Sequence, residues 1–344
     1  MERKLVGCLR PEWNVIDVTE FSDSTESVSK IEYTVGGNVN CAVLKVSTSD
    51  VFDDEVTVAE PVILEKIRED TDIPVPRVID SCFEHESFPT PFYLLEYKSG
   101  VVYTEETPSY EVLKVVIKEA GEFLAELHSM DSFSEFGVVG YEGGELCVLD
   151  TEGNPSFEDN KNRFLDEYMN KINSLDSGGN FPHLADEPQR FGDLISDMKS
   201  YFRSEVEGLP DVSTGSRFCH WDYQFRNLVF DREAQRTAAV LDWGCILAED
   251  PAYNIAKVEA NFLENSWVTD KQAKNLRNIF RETYAYYRSD WEFTESIERR
   301  LRFYKFTTRI DAMASFPLWF QEYDSQQKRD IEEYYREYVN SRIN

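Results

Sequence analysis

The hydrophobic pattern changes period about a hundred residues into the chain. Before that point Val15–Phe21, Val28–Val35 and Asn40–Ser47 are rich in β-branched and aromatic residues and are separated by turn formers, which predicts three strands. Gly36, Gly37 and Asn38 tolerate positive φ and predict a hairpin between the second and third. Ala59–Arg68 reads as a helix, the prolines of Ile73–Phe83 mark an extended segment, and Pro91–Gly100 is a short apolar strand running into a glycine turn. From Tyr110 the spacing is helical, with Leu113, Val116, Ile117, Ala120, Phe123, Leu124 and Leu127 on one face. Further helices are expected over Asn160–Leu175, Pro188–Gly208, Ala256–Glu264 and Lys271–Arg288, and from Thr294 towards the C-terminus. One β-rich stretch interrupts them: Phe218–Phe230, a turn over Asp231–Arg236, then Thr237–Gly244. The expectation is an α+β fold of two lobes, a small β-rich one over residues 1–100 and a larger, mainly helical one over 101–344.

Composition narrows the class. Apolar residues make up 41% of the 344, enough for a packed core, and no run of ~18 apolar residues suggests a membrane span. The opening MERKLVGCLRPEWN lacks the apolar stretch and cleavage site of a signal peptide, so a cytoplasmic location is expected. Six cysteines stand singly with no C-x-x-C pair, which reads as buried free thiols rather than a zinc or redox site.

Charge changes the picture more. Sixty-five acidic residues against 36 basic ones give a net charge of −29. Nucleic acid and anionic membranes need a cationic surface, so both are excluded as partners. Two explanations stay open: a cleft that attracts a polycationic substrate, or a whole surface tuned to molar salt, as in a salt-accumulating halophilic archaeon. The acids are spread along the chain, as in Glu205–Asp211, Tyr141–Glu145 and Phe157–Asn160, which favours the second. At molar salt the Debye length is only ~3 Å, so self-repulsion is screened there.

The candidate chemistry lies in the β-rich interruption. His220, Asp222 and Asn227 stand in HWDYQFRN, and Asp242, in VLDWG, follows Asn227 by fifteen residues. Phosphoryl transfer needs a carboxylate that orients the acceptor, hard oxygen ligands for a divalent cation, and support for the phosphates. Asp222 can take the acceptor hydroxyl's proton, with Arg226 grouped beside it as a catalytic candidate. Asn227 and Asp242 suit Mg²⁺, and His220 is expected to brace the loop rather than touch substrate. Pairing of LVF with AVL around the turn would bring Asn227 and Asp242 together.

An aspartate, an asparagine five residues later, a hairpin and a second aspartate also occur in the protein-kinase catalytic loop and its metal aspartate. The set resembles more closely the aminoglycoside, choline and related small-molecule kinases, over nearly the whole chain. That family's H-x-D-x-x-x-x-N, D-[WF]-x and following D-P correspond here to His220–Asn227, Asp242–Gly244 and Asp250-Pro251, and Gly121–Asp131 looks like its common helix end. The resemblance implies a protein-kinase-like fold, ATP or GTP as donor, Mg²⁺, and a small-molecule hydroxyl acceptor. It implies that Lys45 grips the α- and β-phosphates and that Glu60 is its ion-pair partner, or Glu65 if the helix register differs. It also implies a hinge at Glu96, Tyr97 and Lys98 whose backbone holds the base.

The chain departs from that family in three places. No G-x-G-x-x-G follows the first strand, and Phe21–Ser27 stands where a phosphate-covering turn would lie. Trp221 takes the place of a usual glycine, and Asn254 that of a second aspartate after the D-P. No Walker motif is present. His85 and His183 read as surface histidines, His128 as a helix-end cap, and Phe316, Trp319 and Phe320 as core. The rival reading is a catalytically silent nucleotide-binding or regulatory protein on the same fold. Retention of Lys45, Asp222, Asn227 and Asp242 together favours an enzyme.

Overall fold

A helix that the pattern does not announce, α1 (Glu2–Leu9), opens the computed structural model, which describes residues 1–21, 27–47, 54–104, 106–130, 132–149, 156–212, 215–244, 246–264 and 267–343. Strands β1 (Asn14–Glu20), β2 (Ser27–Val35) and β3 (Asn38–Val46) follow as an antiparallel meander. Gly36 and Gly37, with φ of 59° and 85°, make the β2–β3 turn, a conformation that residues with a Cβ seldom adopt. Ser22–Glu26, the core of the phosphate-covering segment expected above, lies outside the described residues. Helices α2 (Asp54–Thr57) and α3 (Ala59–Asp70) precede β4 (Val78–Cys82) and β5 (Phe92–Glu96). The five strands run β1-β2-β3-β5-β4. Leu5 and Val6 of α1 close one face of this sheet over Ile31, Leu44, Phe92 and Leu94, while α3 turns Ile63, Leu64 and Ile67 into the larger core.

The remainder is mainly helical. Helix α4 (Tyr110–Leu127) starts at Ser109, whose hydroxyl accepts the Val112 N–H at 3.3 Å, and all seven residues of its predicted face are buried. Strands β6 (Gly137–Glu142) and β7 (Glu145–Val148) come next, then α5 (Phe157–Ser174) and α6 (Ile195–Glu207). Strand β8 (Arg217–His220), the hairpin β9 (Leu228–Asp231) and β10 (Arg236–Val240), and β11 (Ile246–Glu249) carry the motifs. β8 and β6 flank β11, and β7 extends the sheet at β6. Helices α7 (Pro251–Val258), α8 (Asp270–Tyr287), α9 (Glu295–Ala314), α10 (Phe316–Trp319) and α11 (Ser325–Ile343) complete the chain. Among the described residues no helix is long and apolar enough to cross a membrane.

Several expectations shift. The last helix is three, because Ser315 ends α9 and Pro317, which has no N–H to donate, sits in the short α10. Trp319 is consequently exposed while Phe316 is buried. The helix expected from Ala256 begins five residues earlier, where Asp250 accepts the Ala252 N–H at 3.0 Å and Pro251 fills the first turn. It continues from Glu259 to Leu263 as a π-turn. The helix expected from Pro188 starts only at Ile195, behind a 3₁₀ turn at Gly192–Leu194. The thiols are mostly not buried: among those described, Cys219 alone is inside and Cys8 is exposed.

Two backbone links join the small sheet region to the hairpin. Val101 and Phe230 exchange N–H···O bonds of 2.9 and 2.8 Å, and the Val240 N–H donates to Pro74 O at 2.7 Å. A Cβ on Gly100 would lie 2.7 Å from Phe230 O, so this crossing requires glycine.

Candidate active site

Strand β8 delivers His220 to the end of a buried sheet, and the chain then turns through Trp221 to Asp222. Burial lowers the His220 pKa, although the Leu241 carbonyl and the nearby Asp242 and Asp222 charges pull the other way. The ring is therefore neutral: Nδ1 accepts the Asp222 N–H at 3.1 Å, so Nε2 carries the proton and donates to Leu241 O at 3.0 Å. His220 thus ties the Asp222 turn to the segment just after β10 that leads into Asp242. Trp243 packs its ring 4.8 Å from that of His220 and donates its indole N–H to Val240 O at 3.0 Å.

Three donors converge on Asp222. Arg226 reaches Oδ2 at 2.9 Å, Asn227 Nδ2 reaches Oδ2 at 3.1 Å, and Gln224 donates to Oδ1. Burial alone would raise this carboxyl; Arg226 above all, then Gln224 and Lys257, outweigh it and hold the group below the usual aspartate value. Asn227 Nδ2 also donates to Asp222 O at 2.8 Å, which leaves its Oδ1 for a cation. The register of β9 with β10 places Leu228 opposite Val240, and the Leu241 N–H donates to Asn227 O at 2.8 Å. Asn227 and Asp242 are thereby carried to the same end of the hairpin.

Lys45 on β3 and Glu60 at the start of α3 form a buried ion pair, while Glu65 is exposed, so the first helix register is the one adopted. Tyr93 on β5, opposite Lys45 in register, donates its hydroxyl to the same Glu60 oxygen. Lys45 Nζ also stands 4.0 Å from Asp242 Oδ1. Asp242 is half exposed and adopts φ +65°, a left-handed conformation that a short polar side chain tolerates better than most. A Cβ at Gly244 would lie 3.1 Å from Glu60 Oε2 and 3.7 Å from Lys45 Nζ, so glycine there keeps the ion pair uncrowded. Lys45, Asp222, Asn227 and Asp242 are therefore brought together in one cluster. The hinge candidates stand apart from them. The side chains of Glu96, Tyr97 and Lys98 line a groove of about 590 Å³ with Glu119, Asp231 and Arg236, and Glu96 pairs with Lys98 at 3.0 Å.

Other residues in the neighbourhood have contacts that the sequence did not foretell. The Asn254 amide on α7 bonds both backbone groups of His220, accepting from its N–H at 2.9 Å and donating to its C=O at 3.0 Å. An aspartate could make only the first of these bonds, which gives the departure from the D-P pattern a physical use. His128 is the C-cap residue of α4, its backbone N–H donating to Leu124 O at 3.0 Å, but its ring is turned inward and fully buried, 2.7 Å from the Tyr284 hydroxyl and 3.4 Å from Asn254 Oδ1. Burial takes its pKa well below the ordinary value, so it is a neutral bridge between α4, α7 and α8. Trp221 is 37% exposed, with Lys257 Nζ 5.1 Å over its ring. Among the described residues no three His, Cys, Asp or Glu side chains form a metal cluster. A cation here would rest on Asn227, Asp242, phosphate and water, the sparse protein coordination that Mg²⁺ prefers.

The model of the APH phosphotransferase enzyme family matches residues 33–297. Among solved structures, an aminoglycoside phosphotransferase APH(4)-Ia variant in ternary complex with ADP and hygromycin B aligns with a TM-score of 0.58 at 17% identity, covering 100% of this chain and 97% of that one. A microcompartment-associated aminopropanol kinase aligns with a TM-score of 0.60 at 15% identity, covering 96% and 94%. Identities this low establish the fold, which is the bilobal kinase-like one. Among curated proteins, "Probable acyl-CoA dehydrogenase IBR3" of Arabidopsis thaliana is 23% identical over 185 residues, 53% of this chain. The match spans only 20% of that relative's length.

Proposed function

The chain belongs to the phosphotransferase enzyme family, and from that premise we propose that it moves the γ-phosphoryl group of ATP or GTP to a hydroxyl of a small molecule. The observation that carries this reading is the gathering of Lys45, Asp222, Asn227 and Asp242 in one cluster, with Asp222 kept ionised by Arg226. The nucleotide is assigned to the cleft between residues 1–100 and 101–344, with its base against the backbone of Glu96–Lys98 and its α- and β-phosphates on Lys45. Asn227 Oδ1 and the Asp242 carboxylate would hold Mg²⁺. When bound, that ion neutralises charge developing on the phosphate oxygens.

In the transfer, the acceptor hydroxyl oxygen forms a bond to the γ-phosphorus. The bond from that phosphorus to the β–γ bridging oxygen breaks, and its electron pair leaves with the nucleoside diphosphate. The hydroxyl proton passes to Asp222. Asp222 is low in basicity, so its main work is to orient the hydroxyl and accept the proton late. Arg226 fixes the carboxylate, and His220, through the Asp222 N–H, fixes the loop.

Acceptor-dependent release of ADP or GDP, coupled to phosphorylation of the acceptor, tests the proposal. Asp222→Asn should lower kcat by ~10²–10⁴ while nucleotide affinity stays close to that of the parent. Normal turnover by that variant would remove Asp222 as the base. The charge of −29 we read as adaptation to high salt rather than as a lure for polycations, because the cations lie beside the base.

A further inference from the structure

We propose, resting on the phosphotransferase reading above, that the acceptor carries an anionic group and that Lys257 receives it beside Trp221. Lys257 lies on α7 and is only 6% exposed. Its Nζ sits 5.1 Å over the Trp221 ring and 5.3 Å over that of Tyr253. Among the described residues its ion-pair carboxylate, Asp311, stands 4.0 Å away, and Asp222 acts on it only at longer range. The Asp311 carboxylate is already engaged, since Oδ1 accepts from Lys171 Nζ at 2.7 Å and Oδ2 from the Tyr168 hydroxyl at 3.0 Å. A buried ammonium normally has a close counter-ion or several hydrogen bonds, because desolvation without them is costly. Lys257 has two aromatic faces and a shared carboxylate at the edge of reach. A carboxylate or phosphate oxygen of a ligand would complete its shell.

The position adds chemical meaning. Trp221 immediately precedes Asp222 and is the partly exposed wall of this cage. Arg226, itself half exposed, binds the other side of Asp222. The base therefore stands between two cations in a chain whose net charge is −29. An acceptor with ammonium groups meets repulsion there. One with an anionic tail meets attraction at a distance from the base that leaves its hydroxyl free to react. Lys257 is in this account a specificity-determining residue, and the acceptor class is a hydroxylated small molecule bearing a carboxylate or a phosphate.

The test uses the full chain, Mg²⁺, ATP or GTP, and short hydroxyalkyl acceptors of one skeleton that end in a carboxylate, a phosphate, a carboxamide or an ammonium group. The better of the two anionic acceptors should exceed the carboxamide in kcat/KM by ~10-fold or more, with the ammonium compound poorest. Comparison of the two anionic arms identifies the group. Lys257→Met should collapse that preference by raising KM for the anion, and Lys257→Arg should retain it; a merely structural lysine would alter all four acceptors alike. The inference is overturned if no anionic acceptor outperforms its carboxamide, whether through equal rates or through absence of transfer. Calorimetry of Mg-nucleotide binding judges the phosphotransferase reading separately: binding together with transfer to neutral or cationic acceptors leaves that reading standing and removes only this one.

Discussion

At the scale of residues, the site is a set of polar groups whose states are fixed by their neighbours. Asp242→Ala should remove the Mg²⁺ dependence of nucleotide binding, because it deletes the one carboxylate proposed to hold the cation, which stands 4.0 Å from Lys45 Nζ. Calorimetry at matched Mg²⁺ checks this, and equal affinities for variant and parent would exclude Asp242 from the cation site. Asn254→Asp tests the strand clamp. The substitution keeps the acceptor for the His220 N–H, removes the donor to His220 O, and buries a charge near Glu249 and Asp250. A loss of ~2–4 kcal/mol is expected in urea unfolding, with a proportionate fall in kcat as the Asp222 turn loosens. Much of this was legible in advance. HWDYQFRN and VLDWG pointed to His220, Asp222, Asn227 and Asp242 because a loop that must serve one geometry keeps its residue types at fixed spacing. Lys257 and the contacts of Asn254 and Gly244 were not, since each acts on a partner far away in sequence, and no local spacing records a contact between α7 and the Asp222 turn.

At the scale of elements, β11 and the π-turn after α7 each carry a buried carboxyl, and the two behave oppositely. Burial pushes Glu249 up to about 7 despite Arg163 and Asn160, whereas burial of Glu259 is overcome by Lys305, Arg281 and Arg277, which hold it at about 2. Both have an ordinary value of 4.5. The folded form binds the Glu249 proton more tightly than the unfolded chain does, so its contribution to stability falls as pH rises from about 4.5 to about 7. Glu259 contributes fully above 4.5 and loses its contribution as pH drops towards about 2. Melting temperature should therefore climb on acidification from about pH 7 and turn down again below about pH 4.5. A profile falling steadily from neutrality would contradict the assignment. Glu259→Ala removes the buried carboxylate shared by Arg277, Arg281 and Lys305, leaving them only Glu264 and Glu298, and should cost ~3 kcal/mol, measured by urea unfolding at neutral pH. Element types were largely readable from period, as the fully buried face of α4 illustrates. β6 and β7 were not, because strands of six and four residues carry too little alternation to stand out, and α1 is short and buries only Leu5 and Val6.

At the scale of the whole molecule, charge and lobe connection dominate. If the −29 is spread to suit salt, unscreened acids repel more strongly in the compact state than in the unfolded chain. Shortening the Debye length from ~10 Å at 0.1 M to ~3 Å at 1 M relieves that repulsion. Melting temperature should then rise steeply with KCl towards the molar range, and activity with it. A flat or falling series would instead make the acidity a matter of local attraction. The two-lobed plan itself was legible because the hydrophobic period changes once, but the manner of joining was not. Val101 with Phe230, and Val240 with Pro74, pin the small sheet region to the hairpin by backbone bonds that any sequence with the right glycine could make. The hairpin consequently serves as an axle. Rotation about it disturbs less than sliding the lobes apart, which would break the Val240–Pro74 main-chain bond and pull on the Val101–Phe230 pair just past the boundary. Points close to an axle sweep short arcs, so Asn227 and Asp242 at the hairpin end hardly move while the far tip of β1 and β2 travels most. Opening would then leave Asp222, Asn227 and Asp242 in mutual register, since all three belong to the larger lobe and Asp222 is bonded to Asn227, and would carry only Lys45 away from them.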